Sequence, residues 1–138
     1  MPLQFINTNI LPISIAVFSG VMLLWSFFGN RFRGVKEVSP AGALQLINHQ
    51  GALVLDVRQP GEFESGHILN AKLIPLGSIK ERIGELEKYR NQSIVVVCRS
   101  GNRSGTASFI LGKQGFSQVF NLAGGVQAWQ KASLPLER

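Results

Sequence analysis

Cysteine and histidine are scarce in this chain of 138 residues. Cys98 is the single cysteine, and the two histidines, His49 and His67, lie far apart in the sequence. One cysteine cannot form an intramolecular disulfide, and these residues do not provide the spacing of a zinc site. We therefore expect no metal ion and no cofactor, and a lone thiol agrees with a reducing cytosolic environment.

Charged residues are absent from the first 30 residues. Within this segment, residues 10–28 (ILPISIAVFSGVMLLWSFF) consist mainly of Ile, Leu, Val, Phe and Trp. About 20 such residues suffice for a helix to cross the hydrocarbon core of a bilayer. The sequence thus predicts a transmembrane anchor at residues 10–28 after a short N-terminal tail, residues 1–9. A buried helix of a soluble domain is the alternative interpretation.

Basic residues follow this apolar run and do not precede it. Arg31, Arg33 and Lys36 come directly after it, so the positive-inside rule predicts an external N-terminus and a cytoplasmic C-terminal domain. A cleavable signal peptide would carry basic residues before the apolar run. Because this chain has none there, we expect an uncleaved anchor. We expect a single-pass protein of the cell membrane, with residues 29–38 as a basic juxtamembrane linker.

The net charge of +6 arises from 14 basic and 8 acidic residues. Three of the basic residues lie in the predicted linker, where anionic lipid head groups are the expected partners. No basic stripe with interleaved aromatic residues occurs elsewhere, so we do not expect nucleic-acid binding. Ala16 and Gly20 form a small-xxx-small pair, which allows contact with a helix of another membrane protein.

Residues 39–138 alternate between apolar strand segments and amphipathic helical segments. Residues 52–57 and 94–97 are short runs of the kind found in strands buried on both faces of a parallel sheet. Further strand segments are expected at 74–75 and 119–120, and helices are expected to begin near residues 39, 78, 103 and 125. The helix at Ser78 is predicted from a capping box with Glu81. This alternation predicts one α/β domain with a mainly parallel sheet.

Cys98 directly follows the strand at residues 94–97 and opens the loop CRSGNRS, residues 98–104. Ligands bind at the carboxyl ends of parallel strands, and the N–H groups of a tight loop before a helix stabilise an anion. We therefore expect the pKa of Cys98 to lie below the roughly 8.5 of a free cysteine, with Arg99 and Arg103 acting in the same direction. These surroundings favour a reactive thiolate over an inert buried cysteine.

Three segments of the chain resemble the rhodanese family. The loop fits the pattern C-R-x-G-x-R-[ST], residues 56–75 (DVRQPGEFESGHILNAKLIP) are similar to a second family segment, and residues 121–129 (NLAGGVQAW) are similar to a third. All three occur in order within residues 39–138. The resemblance implies a rhodanese-like α/β domain with a mainly parallel five-stranded sheet flanked by helices, preceded here by one transmembrane helix.

The same resemblance implies a sulfurtransferase. The Cys98 thiolate would take a sulfane sulfur from an anionic donor such as thiosulfate, hold it as a persulfide, and pass it to cyanide, a thiol or a protein. The loop's N–H groups would surround the charged sulfur, and a glycine lets the backbone approach it closely. The expected substrate-binding residues are Arg99, Ser100, Gly101, Asn102, Arg103 and Ser104.

Several of these residues have two interpretations. Arg99 is expected to face the mouth of the pocket, whereas Arg103 either binds the donor or is structural. Ser104 either donates its hydroxyl to the sulfur or caps the following helix. The resemblance suggests that other residues support the pocket, with Arg58 bracing against Glu62 and the histidine structural rather than a base. These supporting residues are Asp56, Arg58, Glu62 and His67.

Three other functions are compatible with parts of this pattern. Cysteine phosphatases use C-x5-R to surround a phosphoryl group, but Arg103 stands at C-x4-R, and a shorter loop fits one sulfur atom better than a tetrahedral phosphate. Arsenate reduction is disfavoured in the same way. A membrane-tethered interaction module with little catalysis is a third interpretation. The presence of Cys98 together with both loop arginines favours catalysis.

Overall fold

The computed structural model describes residues 2–32 and 34–138, and of residues 2 and 27–32 it describes only the helical backbone. The chain divides into an N-terminal unit that ends before Gly34 and a second unit, Gly34–Arg138. The second unit contains all of the strands found in the described residues.

The described residues of the N-terminal unit form the helices α1 (Pro2–Thr8) and α2 (Ile10–Phe32). Among the described residues, no helix combines the length and the apolar content that are needed to cross a membrane. The transmembrane anchor predicted at residues 10–28 is therefore not supported, and its last two side chains lie outside the described residues.

The second unit is built on one parallel sheet of five strands. The order across the sheet is β1-β5-β4-β2-β3, and every neighbouring pair is parallel. The strands are β1 (Lys36–Val38), β2 (Leu53–Asp56), β3 (Lys72–Leu73), β4 (Ser93–Val97) and β5 (Gln118–Leu122). This confirms the predicted α/β fold with a parallel five-stranded sheet flanked by helices.

The central strand β4 is buried at every position because both faces of the sheet are covered. Ile94 and Val96 pack into one apolar cluster, and Val95 and Val97 pack into the other, since side chains alternate along a strand. Trp129 is a buried core residue of the cluster that contains Val95 and Val97, called the second apolar cluster below. The covering elements are α3 (Pro40–Gln50), α4 (Pro60–Glu64), α5 (Asn102–Lys113) and α6 (Gly125–Lys131), with two 3₁₀ segments, Leu76–Ser78 and Ile83–Tyr89.

The first strand lies in the segment predicted to be a linker. Val38 pairs with Leu122 of β5 and packs partly buried against the second apolar cluster. Lys36 and Glu37 are exposed, so two of the three strand residues give no apolar signal in the sequence. The folded unit therefore begins near Gly34 rather than at residue 39.

The α-helix predicted from the capping box at Ser78 is replaced by 3₁₀ segments. Gly77 and Gly84 lie in this stretch, and a glycine in a helix costs about 1 kcal/mol relative to alanine. The apolar spacing nevertheless buries the expected side chains, since Ile79 and Leu86 are both inaccessible to solvent.

Candidate active site

The loop of residues 98–104 connects the end of β4 to the start of α5. In the sheet register, Asp56 of β2 is opposite Val97 and Asn121 of β5 is opposite Val96, so three strands end beside Cys98. Gly101 has a φ of 105° and precedes the first residue of α5. This backbone conformation favours glycine and turns the chain back over the sulfur.

The sulfur of Cys98 is almost completely buried, with 1% of the residue exposed. The backbone N–H of Gly101 donates to Sγ at 3.0 Å, and the hydroxyl oxygen of Ser104 lies 3.3 Å from Sγ. Burial raises the pKa of the thiol, but hydrogen bonds from the Ser104 hydroxyl and from the N–H groups of Ser104, Gly101 and Ser100 outweigh burial. The pKa of Cys98 is therefore lowered from its ordinary value.

Helix α6 fixes the other side of the loop. The N–H of Val126 donates to the carbonyl of Cys98 at 2.8 Å, and the N–H of Gln127 donates to the carbonyl of Arg99 at 3.1 Å. In a planar trans peptide the N–H points opposite to the carbonyl. Holding the Arg99 carbonyl toward α6 therefore directs the N–H of Ser100 toward the sulfur.

Gly125 makes this close approach of α6 possible. Its φ is 59°, and a Cβ at this position would lie 2.3 Å from the Cys98 carbonyl oxygen and 2.6 Å from the Arg99 carbonyl oxygen. A side chain would thus push α6 away from the loop. The glycine pair in NLAGGVQAW has a direct structural role at this site.

The two arginines of the loop have different surroundings. Arg103 forms two hydrogen bonds with Glu62 of α4, at 2.7 and 2.9 Å. This contact, partly opposed by burial, lowers the pKa of Glu62 to about 2. Arg99 is exposed and lines a cleft of about 390 Å³ beside the loop. The cleft is also lined by Arg58, Glu62, Gln127, Gln130 and Leu136.

The sequence predicts that Arg58 braces Glu62. In the structure, Arg58 instead pairs with Asp56. Its Nε lies 3.0 Å from Oδ1 of Asp56, and one of its terminal nitrogens lies 2.8 Å from Oδ2, with both side chains buried. The same terminal nitrogen donates to the carbonyl of Gly66 at 2.8 Å. This pair joins the end of β2 to the segment after α4.

His67 has contacts that agree with its structural interpretation. Nδ1 lies 2.9 Å from the carbonyl oxygen of Phe63, and Nε2 lies 3.2 Å from a carboxylate oxygen of Glu137. The ring stacks on Phe63 with centroids 3.7 Å apart. His67 therefore attaches the C-terminal segment to the region after α4.

The structure brings only part of the predicted substrate-binding set to the sulfur. Ser100, Gly101 and Ser104 donate hydrogen bonds to it. Asn102 is exposed as the first residue of α5. Within residues 2–32 and 34–138, no group of His, Cys, Asp or Glu is arranged to hold a metal ion.

Asn121 is a residue of the site to which the sequence analysis gave no role. It is 1% exposed, its Oδ1 lies 2.5 Å from the Ser104 hydroxyl oxygen, and its Nδ2 lies 3.0 Å from the Gly101 carbonyl oxygen. The available signal was a polar residue at the end of an apolar strand, within the third segment that resembles the rhodanese family.

Comparison with known proteins assigns this site to a family. The model for the Rhodanese-like domain matches residues 39–132. The chain belongs to the rhodanese-like domain family. This match covers the whole cysteine loop and most of the parallel sheet, so the rhodanese-like domain is the unit that carries the site.

Relatives of this rhodanese-like chain include a protein of Escherichia coli K12 named YibN and described as uncharacterized, which is 37% identical over 119 residues, covering 86% of this chain and 83% of the relative. The thiosulfate sulfurtransferase GlpE of Pseudomonas putida F1 is 36% identical over 102 residues, which cover 74% of this chain and 90% of GlpE. A crystal structure of a rhodanese-related protein from Thermoplasma volcanium has 32% sequence identity and a TM-score of 0.67. The match covers 74% of this chain and 97% of that protein. The family thus includes sulfurtransferases.

Proposed function

We propose that this chain is a sulfurtransferase in which Cys98 carries the transferred sulfur as a persulfide. The main support is the geometry around a buried sulfur, with the Gly101 N–H at 3.0 Å, the Ser104 hydroxyl at 3.3 Å, and further N–H donors from the same loop. Such donors stabilise negative charge on one atom. The similarity to a thiosulfate sulfurtransferase supports thiosulfate as a donor.

In the first step, the Cys98 thiolate attacks the outer sulfur of the donor. A sulfur–sulfur bond forms with Sγ while the sulfur–sulfur bond of the donor breaks, and with thiosulfate the electron pair leaves on sulfite. Hydrogen bonds to the thiolate lower the pKa of Cys98 and so favour the charged, nucleophilic form. Arg99 faces the cleft and supplies positive charge for the anionic donor.

In the second step, an acceptor nucleophile attacks the outer sulfur of the persulfide. The bond to Sγ breaks and its electron pair returns to Sγ, so that Cys98 becomes a thiolate again. Cyanide as acceptor yields thiocyanate, and a thiol yields a new persulfide. The donors that hold the first thiolate also stabilise this leaving group, because the charge returns to the same atom.

Arg103 has a positioning role in this proposal. Its two hydrogen bonds to Glu62 join the start of α5 to α4, and the carboxylate compensates its charge. Among the described residues Arg99 has no such carboxylate partner, which leaves its charge for the donor. The compensated second arginine also disfavours a phosphatase, in which that group would have to bind a phosphoryl oxygen.

The proposal is tested by the transfer of sulfur from thiosulfate to cyanide, measured as thiocyanate formed by the full chain. We expect activity in the wild type and none in Cys98→Ala. Arg99→Gln should raise KM for thiosulfate at least several-fold, while Arg82→Gln, a change at an exposed arginine paired with Glu85, should leave KM unchanged. Equal activity of wild type and Cys98→Ala would refute the assignment.

We also propose that the domain works at the cytoplasmic face of the cell membrane. Support comes from the basic residues after the apolar run and from exposed apolar side chains of the N-terminal unit, including Leu3, Leu11 and Phe18. Fractionation tests this location. The full chain should sediment with membranes, and the fragment Gly34–Arg138 should not. Equal partition of the two chains would contradict the proposal.

A further inference from the structure

Asn121 is a buried amide beside the sulfur, and both ends of its side chain make hydrogen bonds. One end lies 2.5 Å from the Ser104 hydroxyl oxygen. The other lies 3.0 Å from the Gly101 carbonyl oxygen and 3.4 Å from a carboxylate oxygen of Glu37 on β1. Burying an amide is unfavourable unless its polar atoms are paired, so this arrangement determines the local hydrogen bonding.

The neighbours of Asn121 determine which end of the amide is the oxygen. The carbonyl of Gly101 and the carboxylate of Glu37 are both acceptors, so the end that faces them is the NH₂ group. The reverse orientation would place the amide oxygen against two other oxygens. The amide oxygen therefore faces Ser104, and this contact requires a proton from the Ser104 hydroxyl.

The Ser104 hydroxyl has one proton and two neighbours that can accept it. When Cys98 is a thiol, Ser104 donates to Asn121 Oδ1, and the S–H group can donate to the Ser104 oxygen at 3.3 Å. When Cys98 has released its proton to solvent, the sulfur is an anion and an acceptor only. A hydrogen bond to a charged acceptor is stronger than one to a neutral amide oxygen, so the hydroxyl then turns toward the sulfur.

We propose that Asn121 is a positioning residue that controls the direction of the Ser104 hydroxyl, holding it on the amide while Cys98 is a thiol and releasing it to the sulfur when Cys98 is a thiolate. This inference rests on the proposed role of Cys98 as the nucleophile. Charge appears on Sγ before attack on the donor and again when the acceptor removes the outer sulfur. The hydroxyl of Ser104 therefore meets the sulfur at both of these points.

Other charged groups around the loop are the same in every variant below. Glu37 of β1 faces the amide, Arg103 of α5 interacts electrostatically with Cys98, and Arg103 also interacts with Asp56 of β2. Because these groups are unchanged, differences between the variants report the hydrogen bonds of Ser104 and Asn121.

The test is the pH dependence of iodoacetamide alkylation of Cys98 in the full chain, in the wild type, Asn121→Leu, Ser104→Ala and the double variant. Asn121→Leu frees the hydroxyl for the thiolate, so the midpoint should fall by about one pH unit, a tenfold change in the thiolate ratio. Ser104→Ala should raise the midpoint by a similar amount. Asn121→Leu should have no further effect once Ser104 is alanine.

A shift from Asn121→Leu that is the same with and without Ser104 would overturn the inference, as would no shift in either background. A second measurement needs no change at position 121. The side-chain ¹⁵N resonance of Asn121 should move with the midpoint of Cys98 ionisation in the wild type, and should move much less in Ser104→Ala. Equal movement in the two chains would also overturn it.

These measurements require no sulfur transfer, so the inference and the proposed function can fail separately. Sulfur transfer by Cys98→Ala would refute the function. Unchanged alkylation midpoints, with an inactive Cys98→Ala, would refute only the role of Asn121.

Discussion

Gly125 is the position where one added methyl group should disturb the site most directly. A Cβ there would lie 2.3 Å from the carbonyl oxygen of Cys98, against backbone that cannot rotate away, and the residue has a φ of 59°. An alanine in this left-handed conformation costs about 1 to 2 kcal/mol. Relief of the contact requires α6 to move away from the loop.

That movement would break the hydrogen bonds from Val126 and Gln127 to the loop carbonyls, which contribute about 1 kcal/mol each. We therefore expect Gly125→Ala to lower the free energy of unfolding by about 3 to 4 kcal/mol. The N–H of Ser100 would also lose its alignment with the sulfur. The pKa of Cys98 should rise and the rate of thiocyanate formation should fall.

Urea unfolding followed by tryptophan fluorescence measures the loss of stability, and the cyanide assay measures the loss of activity. Gly112→Ala in α5 is the matched control, because nothing lies within 4 Å of a Cβ at that position. It should stabilise the fold by up to about 1 kcal/mol and leave activity unchanged. The reasoning is refuted if the free energy of unfolding of Gly125→Ala stays within about 0.5 kcal/mol of the wild-type value and the variant remains fully active. The contact between α6 and the loop would then not determine the geometry of the site.

Three further predictions concern two ion pairs beside the site and one helix cap. Arg58→Met leaves the buried Asp56 without its guanidinium partner, so the free energy of unfolding measured in urea should fall by about 3 to 5 kcal/mol. A fall below about 1 kcal/mol would contradict the role of this pair. Ser39→Ala removes the cap of α3 and should cost about 1 kcal/mol in the same assay, and no loss would show that the cap is dispensable. Folding lowers the pKa of Glu62 from 4.5 to about 2, so its pair with Arg103 stabilises the fold above pH 4.5 and ceases to do so as the pH falls through about 2. Glu62→Gln should thus cost about 1 kcal/mol at neutral pH and little near pH 2, and a pH-independent loss would refute this.

The sequence correctly predicted the elements that are determined by residues close together in the chain. Residues 94–97 are apolar on both faces and form the central strand, and Cys98 follows at its carboxyl end. Ser39 and Gly51 bound α3 as expected, with the Ser39 oxygen accepting from the N–H of Gly42 at 3.1 Å. In these places a residue's neighbours in sequence are also its neighbours in space.

The features that were missed depend on contacts between distant segments. Arg103 and Glu62 are 41 residues apart, so their pairing follows from the packing of α4 beside the loop. Strand β1 exists because it pairs with β5, and its own residues are mostly polar. Asn121 acquires its role only when β5 lies next to the loop.

Local pattern also produced two interpretations that the structure did not support. The capping box at Ser78 is present in the sequence, but the stretch with Gly77 and Gly84 forms 3₁₀ segments. The apolar run at residues 10–28 predicted a transmembrane anchor, and among the described residues no helix meets the requirements of a membrane span.

The central claim is that the sulfur of Cys98 accepts a second sulfur atom. The most direct test is mass spectrometry of the full chain after incubation with thiosulfate, followed by digestion to locate the modification. We predict one added sulfur atom, located on the peptide that contains Cys98 and removed by cyanide. A chain that gains no sulfur, or that carries it on a peptide without Cys98, would contradict the account.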